Sequence, residues 1–119
     1  MEKKILIIDD DSLVLKTLQN LLSRQGYEVI CAKSGEEAIR HLEFGDFNLI
    51  ISDIRMPGQD GIELLKKIRA NGLETPFMFI TGYASENIPI DAIKLGARDY
   101  ILKPFNLDEL LESVKRYIV

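Results

Sequence analysis

The chain has 119 residues, 46% of them hydrophobic and 29% charged, with a formal net charge of -4. That fits one ordinary domain over residues 1–119, with a core large enough to stand without staples. The acidic balance argues against a nucleic-acid grip, which needs a basic face, and the single cysteine, Cys31, excludes an internal disulfide.

No apolar run approaches the ~18 residues of a membrane span. Met1-Glu2-Lys3-Lys4 runs into four apolar residues and then three aspartates, too short and too quickly acidic for a secretory leader. Cys31 lies in an apolar stretch and is expected to pack rather than react. A reducing, cytoplasmic setting is the expectation.

Ile5 to Ile8 forms the first predicted strand. Ser12 then offers a cap for a helix whose apolar stripe is Val14, Leu18, Leu21 and Leu22. Tyr27 to Ala32 is a second strand, and the charge at Glu28 marks it as an edge. Ser34 with Glu37 fits the capping box of a second helix. Asn48 to Ile51 is the third strand, and Asp60 with Glu63 opens a third helix in a looser version of the box. Phe77 to Ile80 is the fourth strand. Pro89 cannot sit deep in a helix, so a short fourth helix is expected from Asn87 or Ile88. Tyr100 to Leu102 is the fifth strand, and Asn106 with Glu109 opens a fifth helix striped by Leu107, Leu110, Leu111, Val114 and Ile118. Gly26, Gly45, Gly72 and Gly96 each follow a helical pattern, as left-handed C-terminal caps do.

Four of the five strands are nearly continuous apolar runs, the pattern of parallel strands covered on both faces. Regular alternation of strand and helix implies an α/β fold with helices on both sides of a parallel sheet. Five strands and five helices suit the doubly wound order 2-1-3-4-5, the flavodoxin-like arrangement.

Polar residues interrupt the apolar runs at one end. Asp9, Asp10 and Asp11 follow strand 1, Asp53 follows strand 3, Thr81 follows strand 4, and Lys103 follows strand 5. Strands 1 and 3 are neighbours at the topological switch point, where such sheets bind ligands. Asp9, Asp10 and Asp53 therefore converge, and their mutual repulsion calls for a compensating charge. Mg²⁺ suits such an oxygen set, Lys103 supplies an ammonium, and Thr81 a hydroxyl donor. A carboxylate nucleophile with these neighbours is what aspartyl-phosphate formation needs. For Asp11 the plainer reading is a turn residue before the cap. His41, on the second helix, is expected to face solvent, and with no partner histidine or cysteine near it a transition-metal site is not credible.

Four segments carry a family likeness: Ile5-Leu6-Ile7-Ile8-Asp9-Asp10-Asp11-Ser12, Ile51-Ser52-Asp53-Ile54-Arg55-Met56-Pro57-Gly58-Gln59-Asp60-Gly61, Phe79-Ile80-Thr81-Gly82-Tyr83, and Gly96-Ala97-Arg98-Asp99-Tyr100-Ile101-Leu102-Lys103-Pro104-Phe105. Together they resemble a response-regulator receiver domain, the CheY-like module of two-component signalling, over the whole length. The resemblance implies that Asp53 takes a phosphoryl group from a sensor histidine kinase or a phosphotransfer protein. It implies Mg²⁺ held by Asp10, Asp53 and the backbone carbonyl of Arg55, with Asp9 reaching it mainly through water. It also implies phosphoryl contacts from Thr81 and Lys103, a cis bond before Pro104, and a switch in which Thr81 and Tyr100 move together. The output face would be helix 4, strand 5 and helix 5, meeting a downstream effector or a second copy of the chain. Such a module is switched rather than catalytic, apart from slow loss of its own phosphoryl group.

Spacing qualifies this picture. Tyr100 and Lys103 are three apart and so point to opposite faces of a strand, which puts Tyr100 beside the site. Arg55 and Tyr83 flank its mouth, as shields against water or as plain solvated rim residues.

Two rivals follow from other classes. A haloacid-dehalogenase-type phosphatase also uses a strand-end aspartate, but it wants a second aspartate where Arg55 stands. A pseudo-receiver would bind partners without phosphorylation, yet here every acceptor-site position is filled. A nucleotide switch lacks its glycine-rich Gly-Lys-Ser/Thr loop. The output is not written in the sequence, which reaches Val119 close behind the last helix.

Overall fold

The computed structural model describes residues 2–56, 58, 60–82 and 93–119. The continuous apolar runs become β1 (Lys4–Ile8), β3 (Leu49–Asp53) and β4 (Phe77–Thr81), with β3 and β4 buried along their whole length. The more polar runs become β2 (Glu28–Ala32) and β5 (Ala97–Leu102) at the two edges. All pairings are parallel and the order is β2-β1-β3-β4-β5, as the alternation predicts.

Helices α1 (Ser12–Arg24), α2 (Gly35–Phe44), α3 (Gly61–Ala70) and α4 (Leu107–Tyr117) follow β1, β2, β3 and β5. The described residues thus hold four helices rather than five, and α4 is the fifth helix of the sequence reading. The helix expected from Asn87 or Ile88, with Pro89, lies outside the described residues. No described helix is long and apolar enough to cross a membrane.

Alternation along the strands splits the core in two. Leu6, Ile8, Ile50, Phe77 and Phe79 pack with Leu64, Leu65 and Ile68 on the α2–α3 side. Ile5, Ile7, Leu49, Ile51, Met78, Ile80 and Ile101 pack with Leu15, Leu18, Leu22, Leu110 and Val114 on the α1–α4 side. Burying both faces of the central strands is what makes their apolar runs continuous.

Several local readings change. The cap of α1 is Asp11, not Ser12: its carboxylate accepts from the Leu13 N–H at 2.9 Å while its backbone is extended. Ser12 is already in the helix, so the extended residue before it is the one whose side chain can reach the unpaired N–H groups of the first turn. Ser34 caps α2 as read, but Glu37 accepts from the N–H of Lys33, one residue before the cap. Asp60 and Asn106 cap α3 and α4. Gly26, Gly72 and Gly96 have positive φ, whereas Gly45 is extended, with φ -167°, beside the Lys4 ammonium. Strand β5 begins three residues before the expected Tyr100, because an edge strand tolerates Arg98 and Asp99. His41 is half-buried rather than exposed. Cys31 is half-buried against the α1–α4 core, and burial pushes its thiol up.

One glycine controls how closely α3 approaches the sheet. A Cβ on Gly61 would collide with the Asp53 carbonyl oxygen and stand 3.1 Å from both Ser52 Oγ and the Phe79 ring. Gly61→Ala should therefore lower the unfolding free energy by about 1–3 kcal/mol, the usual cost of overpacking. Urea titration followed by circular dichroism checks this; an unchanged midpoint would show that the approach has slack.

Candidate functional site

The carboxyl ends of β1, β3, β4 and β5 meet at a cleft of about 530 Å³ lined by Asp9, Asp10, Asp11, Asp53, Arg55, Gly82 and Lys103. Asp9 ends the β1 run, fully buried, and its N–H donates to the Ala32 carbonyl. Its carboxylate accepts from the Asp11 N–H at 2.9 Å, so the turn into α1 also orients Asp9. Asp10, the next residue, is exposed. Asp53 is the last residue of β3 and is 6% exposed. The Ser52 hydroxyl donates to the Asp53 carbonyl at 2.9 Å, and the Arg55 N–H donates to Asp53 Oδ1 at 3.3 Å.

Lys103 joins the two sides. Its ammonium donates to Asp9 Oδ2 at 2.7 Å and to Asp53 Oδ2 at 2.9 Å. Its N–H donates to the Thr81 carbonyl at 2.7 Å, which ties the end of β5 to the end of β4. The Lys103–Pro104 peptide bond is cis. Thr81 is fully buried, at the last position of β4.

The charges explain each other. Burial raises the Asp9 carboxyl above its ordinary value; the Lys103 and Asp11 hydrogen bonds oppose that without cancelling it, and the Asp53 charge adds to it. Burial alone would lower the Lys103 ammonium, but its bonds to Asp9 and Asp53 carry it above its ordinary value. Asp9, Asp10 and Asp53 each present a carboxylate oxygen within 4.8 Å of the others. An all-oxygen set with one exposed member suits a hard cation that keeps some of its waters, and Mg²⁺ fits that donor set.

Lys103 converges here with Asp9, Asp10 and Asp53, as strand-end placement predicts, whereas Thr81 meets Lys103 through its backbone carbonyl and is not among the residues lining the cleft. Tyr100 lies on the α2–α3 face, opposite Phe79 in the sheet and packed against that core, so it is beside the cleft. It lines a separate cavity of about 360 Å³ with Pro104, Phe105 and Glu109. Arg55 is exposed at the rim. Tyr83, Pro57 and Gln59 lie outside the described residues. Sequence reasoning gave Asp11 only a turn, but its backbone N–H holds Asp9 and its carboxylate caps α1. It also passed over Ser52, whose hydroxyl meets the Asp53 carbonyl; a serine inside an apolar strand was the available signal.

A parallel sheet of this order with a carboxylate cluster bridged by a lysine defines a class of acidic strand-end sites. The family model described as the response regulator receiver domain matches residues 5–115, and the chain belongs to that family. The transcriptional regulatory protein CrdR of Helicobacter pylori is 41% identical over 118 residues, 98% of this chain and 55% of that protein. The regulatory protein AtoC of Escherichia coli is 42% identical over 95% of this chain and 24% of its own length. The chain thus spans about half, or a quarter, of these relatives. Among solved structures, the response regulator TrrA of Thermotoga maritima, in complex with Mg²⁺-BeF, superposes with a TM-score of 0.87 at 34% identity, over 98% of this chain and 99% of that one. A CheY-like receiver domain from Methanospirillum hungatei gives 0.90 at 37% identity, over 98% and 93%.

The bridge makes a stability prediction. Lys103→Met leaves two neighbouring carboxylates, one fully buried, without their cation, and should cost about 3 kcal/mol. Adding Asp9→Asn should recover part of that loss. Urea titrations of the single and double variants decide it; equal loss in both would mean that the carboxylates do not repel across the cleft.

Proposed function

We propose that Asp53 is the phosphoacceptor of a Mg²⁺-dependent signalling switch, fed by a phosphohistidine on a sensor kinase or phosphotransfer protein. The observation that carries this reading is the Lys103 ammonium shared by Asp9 and Asp53 at the ends of β1, β3 and β5. One oxygen of Asp53 attacks phosphorus; the new O–P bond forms as the P–N bond of the donor breaks, and the imidazole nitrogen keeps the electron pair. Lys103, already bonded to Asp53, turns to the incoming phosphoryl oxygens, and the Thr81 hydroxyl takes another. Asp10, Asp53 and the Arg55 carbonyl would hold Mg²⁺, with Asp9 reaching it mainly through water, and the ion would supply charge neutralisation for the phosphoryl oxygens. The remaining barrier is positioning and charge stabilisation rather than covalent chemistry by the protein.

The strand geometry supports a switch at Thr81 and Tyr100. Thr81 and Tyr100 sit on neighbouring strands, and a pull on Thr81 toward the phosphoryl group opens space next to Phe79 for the Tyr100 ring. That change would reach the surface of β5 and α4 together with the helix expected around residue 88, where an effector or a second copy docks. The relatives named as transcriptional regulators support a transcriptional output. The protein is a switch in the cytoplasm, and its only turnover is slow hydrolysis of its own acyl phosphate.

Incubation with acetyl phosphate and Mg²⁺ should give one phosphoryl adduct by intact mass, absent without Mg²⁺ and absent in Asp53→Asn. Steady phosphate release would instead favour a phosphatase, and no adduct a pseudo-receiver. Beryllofluoride should shift the NMR signals of Tyr100 and of the residues around position 88; silence there would refute the switch. For Arg55 and Tyr83 we propose a shield over the acyl phosphate. The variant with both changed to alanine should lose its phosphoryl group several-fold faster, and an unchanged decay rate would make them plain rim residues.

A further inference from the structure

Away from the cleft, one side chain joins three segments. Arg69, in the last turn of α3, donates from Nε to the Leu95 carbonyl at 2.5 Å and from Nη1 to the Leu73 carbonyl at 2.9 Å. Its Nη2 lies against Gly96, where a Cβ would stand 3.4 Å away. Gly96 has φ +92°, so a side chain there would also strain the backbone. The next residue, Ala97, opens β5.

The one register irregularity among the described strands follows at once. Phe77 pairs with Ala97, but Met78 pairs with Asp99, which leaves Arg98 as an extra, bulged residue. Everything beyond it depends on that extra residue. Because side chains alternate, pairing without the bulge would put Asp99 opposite Phe79 and Tyr100 opposite Ile80, and each would change faces. Lys103 would then stand one residue beyond the level at which its N–H meets the Thr81 carbonyl. On the far side of the bulge the Asp99 carboxylate accepts from the Ser113 hydroxyl of α4 and from the Tyr100 N–H. Arg69 and Ser113 therefore grip the strand before and after the extra residue, from opposite faces of the sheet. Burial depresses the Arg69 guanidinium; the Glu74 carboxylate opposes that, and the Arg98 guanidinium at the bulge adds to it.

We propose that Arg69 is the register latch of β5: by fixing the Leu95–Gly96 turn to the end of α3, it holds the extra residue as a bulge at Arg98 and so sets Tyr100 beside Phe79 and Lys103 at the cleft. The latch belongs to the free chain and needs no phosphoryl chemistry, so its failure would leave the phosphoacceptor reading standing.

Native-state hydrogen exchange by NMR, on the full chain without phosphoryl donor, tests it. Arg69→Met keeps an apolar stem and removes both donors. Exchange at the amides of Gly96 through Ile101 should rise about tenfold or more while β1 and β3 stay protected, a local opening on the scale of one lost charged hydrogen bond. Cross-strand contacts between Met78 and Asp99 should weaken with it, and Arg69→Lys should recover part of the protection. Should Arg69→Met not fold, Gly96→Ala, which crowds Nη2, should show the same local pattern. Unchanged protection in β5, or an equal rise across all five strands, overturns the proposal.

Discussion

The structure turns on one ammonium between two carboxylates. Asp9 and Asp53 come from neighbouring parallel strands, at the point where the chain reverses its direction of winding. Neither carboxylate would be held ionised beside the other in a buried position without compensation. Lys103 supplies it from a third strand, and can do so only if β5 is correctly placed against β4. The site is thus a constraint on the sheet as much as a product of it.

That dependence suggests why a chemical event at Asp53 would be felt elsewhere. Lys103 is tied through its N–H to Thr81, and two residues before Thr81's partner Leu102 stands Tyr100, paired with Phe79. A group that draws the ammonium and the Thr81 hydroxyl toward itself pulls on both strands from their ends. Cores are close-packed, so a small displacement there is met by repacking rather than by smooth deformation. The β5 edge has a strand on one side only, and Arg69 and Ser113 grip it on either side of its bulge.

The central strands and the strand-end residues were legible because burial on both faces and a shared polar edge leave direct marks in sequence. Asp9, Asp10, Asp53, Thr81 and Lys103 interrupt apolar runs, and the fold brings those interruptions together. The start of β5 was not legible, since Arg98 and Asp99 read as loop and only the pairing of Ala97 with Phe77 and of Asp99 with Met78 makes the segment strand. Capping at Asp11 was misread because two adjacent residues both had the chemistry, and backbone geometry chose between them. Gly45 looked like the other post-helical glycines, but Lys4 crowds it and its backbone is extended. Arg69 and Ser113 left no signal: each acts through a partner more than ten residues away.

Which atom receives the phosphoryl group decides whether Asp53 is the acceptor. Borohydride reduces an aspartyl phosphate to homoserine, so phosphorylation, reduction and peptide sequencing by mass spectrometry identify the acceptor directly. Homoserine is expected at position 53 alone, formed only when Mg²⁺ is present. Homoserine at Asp9 or Asp10, or a phosphoryl group on His41, would contradict it.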